Sequence, residues 1–146
     1  VPKEHEVLIK VEYVGICGSD VHGFESGPFI PPKDPNQEIG LGHECAGTVV
    51  AVGNRVTKFK PGDRVNIEPG VPCGHCRYCN RGRPNICEVT PPSRAAGTLL
   101  SGAVRMRWNG KRLHHFLGVS LFAQYSVVHR RSLVRIDPRC RWRMPR

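Results

Sequence analysis

Long apolar runs, repeats and aromatic residues are scarce in this sequence. No apolar run approaches the roughly 18–20 residues of a membrane-spanning helix, so we expect no membrane partner. No internal repeat and no heptad pattern is present, which excludes solenoids and coiled coils. Aromatic residues make up only 7% of the chain, and the aromatic motifs that read RNA are missing. The chain has 146 residues, which is the length of one globular domain.

The positive charge is concentrated near the carboxyl end. The formal net charge is +10, but residues 130–146 alone hold seven arginines and one aspartate. The other 129 residues hold 15 lysines and arginines against 11 acidic residues, which is an ordinary balance. This distribution argues against nucleic acid as a partner. Residues 138–146 place arginines around Trp142 and Met144 without a period, so we expect a basic tail that is disordered or non-native.

Glycine and proline punctuate the chain and favour short strands over long helices. Together they occupy 29 positions. Ser19 through Phe24 predict one helical turn capped by Ser19 or Asp20, and residues 27–35 predict an ordered loop. Together these patterns predict a mainly β, barrel-like domain. Runs rich in β-branched residues predict strands over 7–14, 46–52, 64–68, 122–128 and 132–136.

The strongest chemical signal is a group of four cysteines, Cys73, Cys76, Cys79 and Cys87. It lies in residues 69–97, which show no hydrophobic periodicity and therefore need something other than an apolar core to order them. Four thiolates this close in sequence suit one tetrahedral Zn²⁺. An iron–sulfur cluster and two disulfides are the alternatives, and an iron–sulfur run more often ends in Cys-Pro. His75 is expected to lie outside the coordination sphere.

The cysteine count also bears on the compartment. Seven cysteines are an odd number, and the sequence shows no secretory signal peptide. Reduced thiolates that bind metal are therefore expected rather than a disulfide framework. We expect the protein to work in a reducing compartment, the cytoplasm.

A second group combines a thiol, an imidazole and carboxylates. It consists of Gly15-Ile16-Cys17-Gly18-Ser19-Asp20-Val21-His22 together with Gly42-His43-Glu44. Each segment alone is weak evidence for a metal site, because a cysteine at a strand end often serves only as a small buried apolar residue. Together they offer the ligands of an open zinc site, with one position left for water or substrate.

These motifs resemble those of the zinc-containing medium-chain alcohol and polyol dehydrogenases. The resemblance to their GroES-like catalytic domain runs from about residue 3 to residue 137, and the first strand of that fold is expected to precede Val1. It implies a partly open β-barrel with a four-cysteine zinc lobe over residues 1–137. Residues 7–87 look closest to the sorbitol dehydrogenase branch, and residues 97–137 look more like the alcohol dehydrogenase branch. The matching motifs are Cys17-Gly18-Ser19-Asp20-x-His22, Gly42-His43-Glu44-Cys45-Ala46-Gly47, Pro61-Gly62-Asp63-Arg64-Val65 and the four-cysteine group.

The resemblance implies two zinc ions. Cys17 and His43 would bind the catalytic zinc, and Glu44 would be a further or alternate ligand close to a zinc-bound water. Asp20 would hold the imidazole of His43 in one tautomer. The structural zinc would be bound by Cys73, Cys76, Cys79 and Cys87.

The resemblance also implies the reaction. The family transfers hydride between an alcohol or polyol and NAD or NADP, with zinc assisting loss of the hydroxyl proton. Ser19 would accept that proton, and His22 would relay it toward solvent. Gly18 stands where many alcohol dehydrogenases have a basic residue, and its small size favours a polyol.

Two parts of the family machinery are not expected in this chain. The Gly-x-Gly-x-x-Gly fingerprint of the Rossmann domain is absent from the sequence, so NAD or NADP would be bound by a domain outside it. The third catalytic zinc ligand also lies beyond the matching region. We expect no dehydrogenase activity from this chain alone, and a homo-oligomer for the full-length enzyme.

Two other functions stay open at this point. One is a non-enzymatic zinc module, with nucleic-acid binding through the basic tail; it leaves Cys17, His43 and Glu44 without a role. The other is a truncated product without activity. Among single residues, we expect Cys45 to pack in the core, His5 and His129 to be surface residues, and Arg130 and Arg131 to be a solvated pair. For His114 and His115 we expect a solvated loop, and lining of the substrate cleft is the alternative.

Overall fold

The computed structural model describes residues 1–27 and 34–140 and shows a mainly β fold. Its short strands begin and end close to glycine, proline or charged residues, as the punctuation of the sequence predicts. The strands in this described part of the chain, β1 to β8 in chain order, are Glu6–Gly15, Ile39–Gly40, Glu44–Val52, Arg64–Ile67, Met106–Trp108, Lys111–His115, Tyr125–His129 and Leu133–Arg135.

Helical structure is limited to short segments. The α-helices are α1 (Gly18–Ser26), α2 (Arg77–Asn80) and α3 (Thr90–Ala95). Within residues 1–27 and 34–140, no helix is long and apolar enough to cross a bilayer. Single 3-10 turns cover Pro84–Ile86, Phe116–Gly118 and Arg130–Ser132.

Two sheets form the domain. The larger has five antiparallel strands in the order β7-β1-β3-β4-β8. The smaller has the order β2-β6-β5, with β2 parallel to β6 and β5 antiparallel to it. The β1–β3 ladder carries register shifts at Leu8/Ile9 and Val11/Tyr13, which bend the strand. Gly47 is required in this ladder, because a Cβ there would lie 2.4 Å from the carbonyl oxygen of Lys10.

The apolar core lies against one face of the larger sheet. Alternate residues of β1, β3 and β4 point into it, as expected for strands with one wet face. Residues of the segment before β7 close the core from the other side. Its buried members are Val7, Ile9, Cys45, Val49, Val56, Phe59, Val65, Ile67, Val119, Leu121, Val128 and Leu133.

The structure confirms the five strands predicted from composition, with small changes in their ends. The strand predicted over 122–128 begins later, at Tyr125. The helical turn predicted from Ser19 is longer and begins earlier, with Cys17 rather than Ser19 or Asp20 at the N-cap. Most of the predicted loop over residues 27–35 lies outside the described residues, as do residues 141–146 of the basic tail.

The expectation that His114 and His115 lie in a solvated loop is wrong. Both belong to β6, and His115 is only 1% exposed. Its Nδ1 donates to the Val119 carbonyl at 3.1 Å, and its Nε2 accepts from the Arg105 amide at 3.1 Å. With both ring nitrogens satisfied, the neutral imidazole can be buried without a lost hydrogen bond.

The expectation for His5 and His129 also needs correction. Both rings are half-buried, and their centroids lie 6.0 Å apart. Burial, reinforced by the charge of Arg131, lowers the pKa of His129 to about 4. The imidazole of His129 is therefore neutral in the folded protein at pH 7, and it accepts a hydrogen bond from the Arg131 amide at 3.2 Å.

This pKa predicts acid sensitivity. Below the unfolded pKa of about 6.5, the unfolded chain binds a proton at His129 that the folded chain rejects down to about pH 4. The free energy of unfolding should thus fall from pH 6.5 to pH 4, by on the order of 3 kcal/mol from this residue. His129→Gln should flatten that fall in urea titrations at each pH, whereas Cys140→Ser, which removes no imidazole, should not. Metal release at low pH affects all variants alike, so it cancels when their free energies of unfolding are compared. An equal dependence of the free energy of unfolding on pH in all variants would contradict the prediction.

Candidate metal centres

The four sulfur atoms of Cys73, Cys76, Cys79 and Cys87 lie together in the structure. All four are within 4.8 Å of one another. The Sγ atoms of Cys73 and Cys79 are 4.0 Å apart, and those of Cys76 and Cys87 are 3.9 Å apart. A tetrahedral ion with bonds of about 2.3 Å needs sulfur–sulfur distances of about 3.8 Å. The observed distances fit such an ion, and they are about twice the length of a disulfide bond.

Local backbone geometry positions these sulfurs. Gly74 has φ 78°, which turns the chain between the first two cysteines. The amides of His75 and Cys76 then donate to Cys73 Sγ at 3.5 and 3.3 Å. The amide of Cys73 donates to Cys87 Sγ at 3.3 Å, joining both ends of the loop. N–H donors favour thiolates over thiols, so this backbone is arranged for ionised sulfur.

The pKa values of the cluster are spread apart. Burial opposes ionisation of Cys87, but the Cys73 amide, the Thr90 hydroxyl and the Val89 backbone outweigh it and lower its pKa to about 5. Burial, together with the neighbouring cysteines, raises the pKa of Cys79 to about 11. Four adjacent thiolates cannot coexist without a cation, since each negative charge opposes the next. The donor set therefore fits a divalent, thiophilic metal.

The surroundings of this cluster match the expectation of a segment without an apolar core of its own. A small group of buried residues, separate from the main core, consists of Cys73, Cys76 and Cys87 with Tyr78, Cys79 and Leu100 packed on them. The imidazole of His75 is turned to the Cys73 carbonyl, with Nδ1 at 3.0 Å from the oxygen. His75 is not in the metal-type group, in agreement with the expectation.

A second metal-type group joins Cys17, His43 and Glu44. One ligand atom from each lies within 4.8 Å of the others, although His43 is 26 positions after Cys17 in sequence. Cys17 follows the end of β1, and Glu44 opens β3, the strand that pairs with it. The register places Gly15 opposite Glu44. Gly15 leaves space for the glutamate, because a Cβ there would lie 2.9 Å from Glu44 Oε2.

The buried carboxylate of Asp20 lies beside the histidine of this group. It is 4% exposed, and its Oδ1 lies 3.5 Å from His43 Nδ1. The carboxylate accepts hydrogen bonds at 3.0 Å from the amides of Cys17 and Gly42, so it links both segments that supply ligands. Gly42 has φ 87°, and a Cβ there would collide with Phe122. The carboxylate therefore lies on the Nδ1 side of the imidazole.

Two further side chains contact His43. Ser19 Oγ lies 3.3 Å from His43 Nε2. The ring of Phe116 packs edge-on against the imidazole, with centroids 5.4 Å apart. Phe116 was not singled out from the sequence, since it is 73 positions away and no local pattern connects it with His43. Cys45 is buried, as expected, and burial raises the pKa of its thiol to about 12.

A cleft of about 550 Å³ opens beside this second group. His43 and Glu44 form part of its wall, so a small molecule in the cleft would reach the metal-type group. His22, the expected proton relay, lies on the exposed side of α1 and belongs to neither metal-type group among the described residues. The other residues lining the cleft are Tyr13, Gly15, Cys45, Ala46, Asn66, Ile67, Glu68, Pro69 and Val134.

Comparison with protein families identifies one match over nearly the whole chain. The alcohol dehydrogenase GroES-like domain matches residues 3–138. That range contains both metal-type groups. The match to this domain also agrees with the mainly β fold described above.

Individual relatives give a consistent picture. The chain is 92% identical over 87 residues to the uncharacterized zinc-type alcohol dehydrogenase-like protein YdjJ of Escherichia coli strain K12, covering 60% of this chain and 25% of that protein. It is 39% identical over 139 residues to S-(hydroxymethyl)glutathione dehydrogenase of Escherichia coli O1:K1 / APEC, covering 94% and 36%. The crystal structure of benzyl alcohol dehydrogenase from Acinetobacter calcoaceticus superposes with a TM-score of 0.73 at 29% identity, covering 97% and 36%. The chain thus spans between a quarter and about a third of the length of the relatives it matches.

Proposed function

The chain belongs to the alcohol dehydrogenase GroES-like domain family, and from this membership we propose that it forms the zinc-binding catalytic part of an oxidoreductase acting on an alcohol or polyol. The observation that carries the proposal is the convergence of Cys17, His43 and Glu44, two of which, His43 and Glu44, line a cleft. The names of the relatives support zinc and dehydrogenase chemistry.

The proposal assigns one zinc ion to each metal-type group. Cys73, Cys76, Cys79 and Cys87 would hold a structural ion, because four buried or half-buried protein ligands leave no position for substrate. Cys17 and His43 would hold the second ion, with Glu44 as a further or alternate ligand. A zinc ion there would supply Lewis-acid polarisation of a substrate hydroxyl group.

The residues around the second group have separate tasks in this proposal. Asp20 holds the imidazole of His43 in the tautomer that leaves Nε2 unprotonated. The Ser19 hydroxyl, 3.3 Å from that nitrogen, is placed to accept the proton of the substrate hydroxyl. His22 follows Ser19 by three positions on α1 and lies on the exposed side, where it can pass the proton to solvent.

The proposal extends to the substrate and to the nicotinamide cofactor. We favour a polyol of the sorbitol type, because Gly18 leaves space beside Cys17 where a larger side chain would stand; a Cβ at Gly18 meets no atom within 4 Å. NAD or NADP would bind a Rossmann domain outside this chain; a solved zinc-binding dehydrogenase from Sinorhizobium meliloti that resembles this chain is bound to NADP. We place the enzyme in the cytoplasm as a homo-oligomer.

Cobalt substitution tests the site without requiring turnover. Co²⁺ bound to thiolate gives visible absorption that changes with its ligands, so an alcohol entering the cleft should shift the bands of the Cys17 site. Sorbitol should produce a saturable shift at lower concentration than 1-butanol. The shift should vanish in Cys17→Ser and persist in Cys140→Ser, which removes an exposed cysteine outside both groups. Cobalt at both sites with no response to either alcohol would overturn the proposal.

A further inference from the structure

A pocket of about 380 Å³ outside both metal-type groups concentrates positive charge. Its cationic side chains are Lys58, Arg130 and Arg131, and no carboxylate is among the described residues that line it. We propose that this pocket binds a compact phosphate-type anion. The remaining lining residues are Phe59, Pro72 and Leu133.

Among the described residues, no carboxylate forms an ion pair with the cationic side chains of this pocket. Over residues 1–27 and 34–140, the ion pairs include none made by Lys58, Arg130 or Arg131. The carboxylate of Asp63 is paired with Arg135, which donates to it at 2.9 Å. Three like charges on one pocket repel one another, and a bound anion would relieve that repulsion.

The fold holds Arg131 in place. Its Nη1 donates to the Pro72 carbonyl at 3.3 Å, and its amide donates to His129 Nδ1 at 3.2 Å. The guanidinium also lies against Gly74, where a Cβ would come within 2.5 Å of it. An arginine fixed in this way loses little conformational entropy when it binds a ligand, which favours binding.

Arg130 adds a second guanidinium with unused donors. Its amide donates to the His5 carbonyl at 2.9 Å, which anchors the backbone of the turn. Its side-chain Nε is enclosed and has no hydrogen-bond partner in the protein. An enclosed N–H without an acceptor is costly, and the charge of this guanidinium is left for an external anion.

The apolar floor strengthens the attraction. Phe59 and Leu133 are only 9% and 7% exposed, so the cationic groups stand on a surface of low polarity. Charge–charge attraction is stronger there than in bulk water. Two arginines can each donate two N–H groups to a tetrahedral oxyanion, whereas a single carboxylate offers only two oxygens. This chemistry favours phosphate over a monocarboxylate.

Titration with inorganic phosphate tests the proposal on the metal-loaded full chain. Calorimetry should show saturable binding at constant ionic strength, and acetate should bind at least about tenfold more weakly. Amide resonances of Lys58, Phe59 and residues 130–133 should shift with phosphate. Arg130→Gln and Lys58→Gln should each weaken binding about fivefold to tenfold.

Lys111→Gln is the matched control, since it removes one positive charge from an exposed side chain outside the pocket. It should leave phosphate affinity within about twofold, because screened surface charges act weakly at a distance. Equal weakening by Lys111→Gln and Arg130→Gln would show only general attraction to a cationic protein and would overturn the site. Loss of metal on phosphate addition, or resonance shifts confined to residues 73–87, would also overturn it.

Discussion

Replacing Cys87 with alanine is expected to remove the metal from the four-cysteine group and to unfold the segment around it. Residues 69–97 supply none of the buried members of the main core described above, and their own buried cluster consists largely of the cysteines. Metal binding at such sites contributes on the order of 10 kcal/mol to folding in small zinc domains. No other interaction in this segment is of that size, because individual hydrogen bonds contribute about 1 kcal/mol.

The effect should be visible as local rather than global unfolding. Amide hydrogen exchange in residues 69–97 of Cys87→Ala should approach unprotected rates, while β1 and β3 stay protected by their ladder of paired strands. Zinc content should fall by one ion per chain. Cys140→Ala is the matched control, as it removes an exposed cysteine and should change neither zinc content nor exchange. Retained protection in the segment of Cys87→Ala would contradict the metal-based account.

The second large effect is expected from His43→Gln. This change preserves most of the side-chain volume next to Phe116 but replaces the imidazole with a weak metal ligand. The zinc content should fall from two ions per chain to one, with the fold retained. Asp20→Asn should have a smaller effect, an affinity about 10-fold to 100-fold lower at this site, because it alters the surroundings of the imidazole and leaves the metal ligands in place.

The matched control for the histidine is His75→Gln. His75 lies beside the four-cysteine group, and its Nδ1 is 3.0 Å from the Cys73 carbonyl oxygen. Atomic absorption of the dialysed variants should give two ions for His75→Gln and one for His43→Gln. If His43→Gln kept both ions, Cys17 and Glu44 would not depend on this imidazole, and the proposed site would be wrong.

Much of the larger sheet could be predicted from composition. The runs that became β1, β3 and β4 are rich in valine and isoleucine and are bounded by glycine, proline or aspartate, so local preference and burial agree. The smaller sheet could not be predicted in this way. Strands β5 and β6 carry arginine, lysine and histidine and lack an alternating apolar pattern.

One local signal for the smaller sheet was present in the sequence. Asn109 and Gly110 both have positive φ, 48° and 79°, and they join β5 to β6 in a tight hairpin. An Asn-Gly pair is the residue choice that such a turn favours. Recognising it would have placed His114 and His115 on a strand. The burial of His115 still depended on Val119 and Arg105, whose positions no local rule supplies.

The metal-type groups show the same division between local and distant information. The spacing of Cys73 to Cys87 lies in one loop, so sequence alone could predict that their sulfurs meet. The group of Cys17, His43 and Glu44 needs two segments brought together by the β1–β3 pairing, and the resemblance to a family supplied that connection. The contacts of Phe116 with His43 and the cationic pocket at Arg130 became visible only in three dimensions.

The zinc content of the purified chain under reducing conditions is the most direct test. The account requires two ions per chain, one among four sulfurs arranged near a tetrahedron and one at Cys17, His43 and Glu44. A value close to two, falling to one when either group is disrupted, is the predicted result. Protein that folds with no bound zinc, or with its sulfurs joined in disulfides, would contradict it.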